Sequence, residues 1–341
     1  MIKFFRKIRQ TFLANNSFSK YLLYAMGEIT LVVIGILIAL QINNWNDNRK
    51  NRLKIDQLLK KVREELVLNI HYSDDVTAFY RFKEKDIGDV LRKKVTLEDY
   101  ENSGLVYLIW NNTTLDLADD AARELDSYTD LLNEEQDSLI SNINRLYSGF
   151  KPTLDVSDAA IEEAVLDFES RIKRTTSWYY LSNNRENLPK RAYQFFLNDT
   201  LYLNDVAYYE STGLNNHFRY NALFNSAAKD LYIDLSNYLK MGVDSTLIKP
   251  VDQIEHYQGT YVLQNQQKKD TFIIKKKNNK LVYDWIDRNG SDTYSLYPEN
   301  KDEFVLVIWF AKLIRDENDG VTGFKLTLGS RPEQEYLKIN Q

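Results

Sequence analysis

Residues 21–42, YLLYAMGEITLVVIGILIALQI, form an apolar run broken by one carboxylate, Glu28. A helix needs about 20 such residues to cross a bilayer. Lipid offers the backbone no hydrogen-bond partners, so a lone spanning segment must be helical. The run therefore predicts one membrane helix near the N-terminus, with the bulk of the chain on one side. A cleaved signal peptide is the alternative, since a basic region precedes the unbroken stretch 29–40. Against it, no small-x-small cleavage site follows Leu40, and Gln41-Ile42-Asn43-Asn44-Trp45 reads as an exit with Trp45 at headgroup level.

Orientation is set by weaker signals. Lys3, Arg6, Lys7, Arg9 and Lys20 precede the run without any acidic residue, but Arg49, Lys50, Arg52 and Lys54 follow it. Charge counting alone is close to a tie. A short basic tail crosses a membrane poorly, whereas long C-terminal regions cross largely regardless of charge. Cysteine is absent, which suits an oxidising compartment. Residues 1–20 are thus expected to be a cytoplasmic tail and the residues after about 46 to be extracytoplasmic. A net charge of −5 argues against a nucleic-acid surface.

Beyond the run, residues 43–245 carry helical periodicity. Ile55, Leu59, Val62 and Leu66 recur at 4-3-4 spacing; Leu139, Ile140, Ile143, Leu146 and Tyr147 make a second stripe. Thr96 and Asp99 form a loose capping box, and Ser157 is placed to cap a helix bearing Ile161, Ala164, Val165, Phe168 and Ile172. A last helix carries Phe224, Ala227, Ala228, Leu231, Leu235 and Tyr238. Helices with single stripes bury them together, so a helical bundle is expected.

The register changes near Gly242–Pro250, and after His256 the period becomes two. Candidate strands are 259–263, 271–276, 280–285, 292–296, 303–308, 311–315, 321–328 and 335–339, with turns at Asn278-Asn279, Asn289-Gly290 and Asp319-Gly320. Eight short strands favour an antiparallel barrel, because closure removes exposed edges; an open sandwich is the alternative. The expected fold class is membrane-anchored α+β: a transmembrane helix over 21–42, a bundle over 43–245 and a barrel over 250–341.

Gly27-Glu28-Ile29 followed by Gly35-Ile36-Leu37-Ile38-Ala39-Leu40-Gln41-Ile42-Asn43-Asn44-Trp45 and a basic helix resembles the signature of a bacterial single-pass membrane family of unknown function. The likeness extends weakly through 122–147. It implies a membrane location and no known activity. Separately, residues 256–341 resemble the lipocalin-like barrel found after periplasmic serine hydrolases of the beta-lactamase type. Tyr257-Gln258-Gly259-Thr260-Tyr261, Leu296-Tyr297-Pro298-Glu299, Phe304, and Arg315-Asp316 leading to Gly320-Val321-Thr322-Gly323-Phe324 carry that likeness. The catalytic domain of those hydrolases has no counterpart here. This resemblance therefore implies an extracytoplasmic barrel without hydrolase activity.

Candidate chemistry is sparse. There is no cysteine, no Gly-x-Ser-x-Gly elbow and no phosphate or dinucleotide loop, and His71, His217 and His256 are far apart. No catalytic residue, metal ligand or cofactor is assigned. Asp116, Asp120 and Glu124 would line one helix face, read as a solvated acidic row rather than a cation site. Trp178-Tyr179-Tyr180, Tyr193-Phe195-Phe196 and Tyr208-Tyr209 read as core before groove. Lys268, Lys269, Lys275, Lys276, Lys277 and Lys280 read as edge protection for a hairpin.

Glu28 stands apart. About seven residues into the helix, a carboxylate costs roughly 2–4 kcal/mol even on the milder insertion scales. Glu28, Val32, Gly35 and Ala39 fall on one face, where small residues admit a neighbouring helix. The alternatives are a Glu28 lying shallow among headgroups and a proton or ion relay. The expected partners are the lipid bilayer and, through this face, a second copy or another membrane protein; a ligand for the barrel is not specified. The chain reads first as a membrane-anchored interaction or scaffolding protein, second as a small-ligand binder through its barrel, and last as an unrecognised enzyme.

Overall fold

The computed structural model describes residues 18–131, 134–182, 188–249, 254–264, 270–277, 280–287, 290–306 and 309–339. The tail residues 1–17, Lys268, Lys269 and the turn residues Asn278, Asn279 and Asn289 lie outside these. The chain divides into two units, residues 1–57 with 128–132, and the remainder.

The first unit holds the start of helix α1 (Phe18–Leu91), which has no proline and so no missing backbone donor. The second unit contains the rest of α1 and a set of shorter helices packed against it. These are α2 (Leu97–Asn102), α3 (Asp120–Leu125), α4 (Glu134–Asn144), α5 (Lys151–Thr175), α6 (Lys190–Asn198), α7 (Thr200–Tyr209) and α8 (Phe218–Tyr238). Two π-helical segments, Arg145–Phe150 and Glu210–His217, lead into α5 and α8. The stripes expected from periodicity are buried: Leu59, Val62 and Leu66 on α1, Leu139 to Tyr147 along α4 and its π extension, and Ile161, Phe168 and Ile172 on α5. The capping box closes as expected, with the Thr96 side chain accepting from the Asp99 N–H and Asp99 accepting from the Thr96 N–H. Ser157 departs from expectation. Helix α5 begins at Lys151 with Pro152 in its first turn, where a missing N–H is harmless, and Ser157 sits inside, donating to the Leu154 carbonyl.

Helices α1 and α8 run antiparallel through a buried polar seam. Ser73 donates to Asn221 Oδ1 at 2.8 Å, Asn221 donates to Thr77 at 3.0 Å, and Asn225 donates to Ser73 at 3.0 Å. Arg63 reaches Ser236 and Tyr232, both at 2.8 Å. These donors all have acceptors, so burial costs little and the register is fixed. Of the aromatic groups expected as core, Trp178, Phe196 and Tyr209 are buried, whereas Tyr180 and Tyr208 are exposed; Trp178 packs on Phe195 and Phe196 at 5.6 and 5.5 Å, and Phe196 on Tyr202 at 5.0 Å.

After a short helix α9 (Ile254–Tyr257) come nine antiparallel strands: β1 (Gly259–Leu263), β2 (Thr271–Lys277), β3 (Lys280–Asp287), β4 (Gly290–Ser295), β5 (Pro298–Asn300), β6 (Glu303–Leu306), β7 (Trp309–Arg315), β8 (Val321–Thr327) and β9 (Gln334–Ile339). Their order is β4-β3-β2-β1-β9-β8-β7-β6-β5. Against the eight strands expected, β5 is the addition. Each step of the order reverses direction, so eight steps bring β5 back to the direction of β4. Only Leu296 and Tyr297 separate the two, so 290–300 is one interrupted strand that supplies both edges of the sheet. Pro298 opens the second half, the strand position where a missing N–H is tolerated.

Those two residues force the edges together, and the sheet curls. Trp285 on β3 and Trp309 on β7 are five steps apart, about 24 Å in a flat sheet. Their ring centroids are 5.0 Å apart. The expected closed barrel is therefore a curled half-barrel: among the described residues no ladder joins β4 to β5. Its inside is filled. Phe272 contacts Phe324 at 5.5 Å and Tyr336 at 5.1 Å, and Tyr261 lies 5.1 Å from Phe324. The outer face packs on the helices, with Phe310 on Phe218 at 4.9 Å and Arg81 paired with Glu303.

Candidate functional site

The membrane-face residues expected from the sequence lie on α1. From Leu22 to Ile42 its large apolar side chains are exposed, among them Leu31 at 70% and Ile42 at 62%, and none of the described residues in that stretch is buried. Burying one such side chain is worth about 1.5–3 kcal/mol, so in water this stretch would forgo on the order of 20 kcal/mol. That exceeds the whole stability of a typical domain, about 5–15 kcal/mol. The stretch fits a membrane anchor or a signal sequence. Val32, Gly35 and Ala39 are exposed, Glu28 is half-buried, and Trp45 is 63% exposed. A Cβ added to Gly35 would meet nothing within 4 Å, so that point of the face is open.

A second feature has no counterpart in the sequence pattern. A cleft of about 1080 Å³ lies between α8, the Arg145–Phe150 segment and the outer face of β2–β4. Tyr220, Leu223, Ala227, Asp230, Asp234 and Asn237 line it at helical spacing along α8. Its fixed point is Asp230. One carboxylate oxygen accepts from Lys280 and from the Tyr297 hydroxyl, both at 2.8 Å, and the other accepts from Ser295 Oγ at 2.6 Å. Burial, with the Asp230 charge beside it, pushes the Tyr297 hydroxyl well above its usual range, so Tyr297 stays a donor. Asp230 thus pins α8 to the interruption between β4 and β5. Three of the hairpin lysines are paired: Lys275 with Asp284, Lys276 with Glu255, Lys280 with Asp230. With its central carboxylate occupied in this way, the cleft has no free acid or base at that point.

The acidic row does not form. Asp116 precedes α3, so it shares no helix face with Asp120 and Glu124, and Asp120 pairs with Arg123. No group of three metal-ligating side chains occurs among the described residues. His217 is buried, with Nδ1 2.8 Å from Asp158 and 3.3 Å from Ser157 Oγ. Both neighbours meet the same nitrogen, so the three form no relay.

Residues 28–135 match a family of unknown function, DUF6090. The match opens at Glu28, takes in the rest of α1 with α2 and α3, and stops at the start of α4. It includes none of the sheet. No curated protein and no solved structure matches the chain.

Among the perturbed groups in the matched region are two neighbours on α1, Lys83 and Glu84. Lys83 is buried and donates to the Leu108 carbonyl at 2.7 Å and to the Asn111 side chain at 2.6 Å. Burial lowers its pKa to about 7, although the surrounding oxygens favour the ammonium. Glu84 beside it is raised to about 7, chiefly by burial. The signal that points to Lys83 is its place in the stripe of Val76, Tyr80, Ile87 and Val90, where a cation interrupts 4-3-4-3 apolar spacing. Glu84 falls outside that stripe, and nothing in the sequence marks it.

Proposed function

We propose that this chain is a single-pass protein of the bacterial inner membrane, with residues 1–20 cytoplasmic and the helical and sheet regions extracytoplasmic, and that it acts by association. One observation carries the reading: residues 22–42 present an apolar surface with no polar stripe and no buried residue among those described. Lipid is the solvent that such a surface fits. The basic tail and the absence of cysteine support the orientation. The sequence resemblance of residues 256–341 to a lipocalin-like barrel implies the same extracytoplasmic place. The associating surface is the Glu28–Val32–Gly35–Ala39 face, and its occupant is the same face of a second copy, since the open space at Gly35 lets two backbones approach.

The chain has no native thiol to interfere with a topology test. A single cysteine at Glu317, exposed in the turn before β8, should react with a membrane-impermeant thiol reagent once the outer membrane is permeabilised. Labelling only after the inner membrane is lysed would reverse the orientation. A second reading, small-ligand binding, draws on the cleft along α8 and not on the sheet interior, which side chains fill. Native mass spectrometry of the full chain would show a bound mass that Leu223→Trp removes; identical spectra for both proteins would end that reading.

A further inference from the structure

The turn between β8 and β9 is gripped by the helices through its backbone. Gly329 donates its N–H to Glu84 Oε1 at 3.0 Å, and its carbonyl accepts from Arg92 at 3.0 Å. The next residue, Ser330, donates both its N–H and its hydroxyl to Glu210, the latter at 2.9 Å. Gly329 has φ +51°, so consecutive N–H groups turn toward one side and form an anion-binding nest. Two carboxylates from different helical segments, α1 and the Glu210–His217 segment, occupy it together. The fit is close: a Cβ on Gly88 would lie 2.5 Å from the Gly329 carbonyl oxygen, and one on Gly329 would run into Glu210.

Like charges sharing one nest oppose each other. The cations nearby are shared with other partners, and only Arg81 also draws the Glu84 carboxyl down. Arg81 pairs with Glu303 on β6, and Arg92 pairs with Asp89 while holding the Gly329 carbonyl. We propose that this turn is an acid-tightened latch between the sheet and the helices, firm while one of the two carboxyls is protonated and loosened when both are charged. Burial raises the Glu84 carboxyl to about 7 against the Gly329 N–H and the Arg81 charge, with the Glu210 charge adding a smaller push upward. The sign follows. A carboxyl raised in the closed state binds more protons there than in the open state. Closure is therefore favoured as pH falls from about 7 toward the free carboxylate value, and weakened as pH rises through that window.

Hydrogen exchange of the full chain in detergent micelles, read by mass spectrometry over 328–333 and corrected for intrinsic exchange, tests the latch. Opening should increase roughly tenfold or more between pH 5.5 and pH 8. Glu84→Gln, which keeps the acceptor and removes the charge, should stay protected at both pH values. Glu210→Gln should shift the wild-type transition to lower pH, because the repelling charge is gone. Protection that does not change with pH in the wild type, or a Glu84→Gln protein that keeps the wild-type dependence, would overturn the latch. Should Glu84→Gln fail to fold, an unmoved transition in Glu210→Gln would overturn it equally.

Discussion

Two stretches of helix α1 obey opposite rules. Residues 22–42 are apolar all round and exposed, whereas residues 58–90 are apolar on one stripe and that stripe is buried. In the second stretch Leu58, Leu59, Val62, Leu66 and Ile70 have no exposure, and Lys60, Lys61 and Glu64 face water. An amphipathic stripe specifies a protein neighbour, while an unstriped apolar surface specifies a different solvent. The difference lies in the density of apolar residues as well as their pattern: 16 of 21 in the first stretch, 15 of 33 in the second.

The comparison is most easily broken at its extremes. The full chain should stay with membranes through an alkali wash, and a chain starting at residue 46 should be soluble and folded, read by fractionation and circular dichroism. A truncated chain that remains with membranes would remove the first stretch as the anchor. Next in size, Leu66→Ala should cost about 2–5 kcal/mol in denaturant unfolding, as expected for a cavity at a site with no exposure. Leu37→Ala, made in the exposed stretch, should leave that unfolding free energy within about 0.5 kcal/mol of wild type. Equal losses would erase the distinction.

Lys83 gives a smaller, pH-dependent effect. Its folded pKa, about 7, lies below its ordinary value, so the unfolded chain binds the extra proton. Stability should therefore rise with pH from about 7 toward 10. Lys83→Met should flatten that rise while losing roughly 2–3 kcal/mol at pH 7, because the Leu108 and Asn111 oxygens lose their donor. A wild-type protein whose stability is level over that range would show the ammonium to be fully compensated. The smallest effect belongs to the membrane face. Gly35→Ile should weaken helix association by about 1–2 kcal/mol in a membrane two-hybrid assay and Leu37→Ile by almost nothing. Equal association would leave Glu28 as a shallow interfacial residue.

What could be read from the residues was periodic. The stripes on α1, α4, α5 and α8 and most strand positions follow from spacing alone, because burial selects one face. Features that depend on distant partners could not be read. Ser157 has the chemistry of a cap, yet Pro152 starts the helix earlier and leaves Ser157 inside. Strand β5 is three residues long and owes its place to pairing with β6, as Pro298 opposite Phe304 and Asn300 opposite Glu303. The cleft along α8 and the Glu84–Glu210 nest join segments far apart in the chain, and no local pattern encodes either. Asp116 was misplaced for a related reason: a spacing of four implies one face only where the intervening residues are helical.

The strand order has a consequence for how the sheet is made. Strand β9 lies in the middle of the order, between β1 and β8, with Thr260 opposite Ile339 and Phe324 opposite Tyr336. As the chain is synthesised from its N-terminus, β1–β4 and β5–β8 can each form from neighbouring hairpins. They remain two separate stacks until residues 334–339 emerge. Until then β1 and β8 both present open edges, the state most prone to pairing with the wrong chain. A nascent or prematurely terminated product would thus carry two sticky half-sheets, and the final strand acts as the wedge that turns them into one.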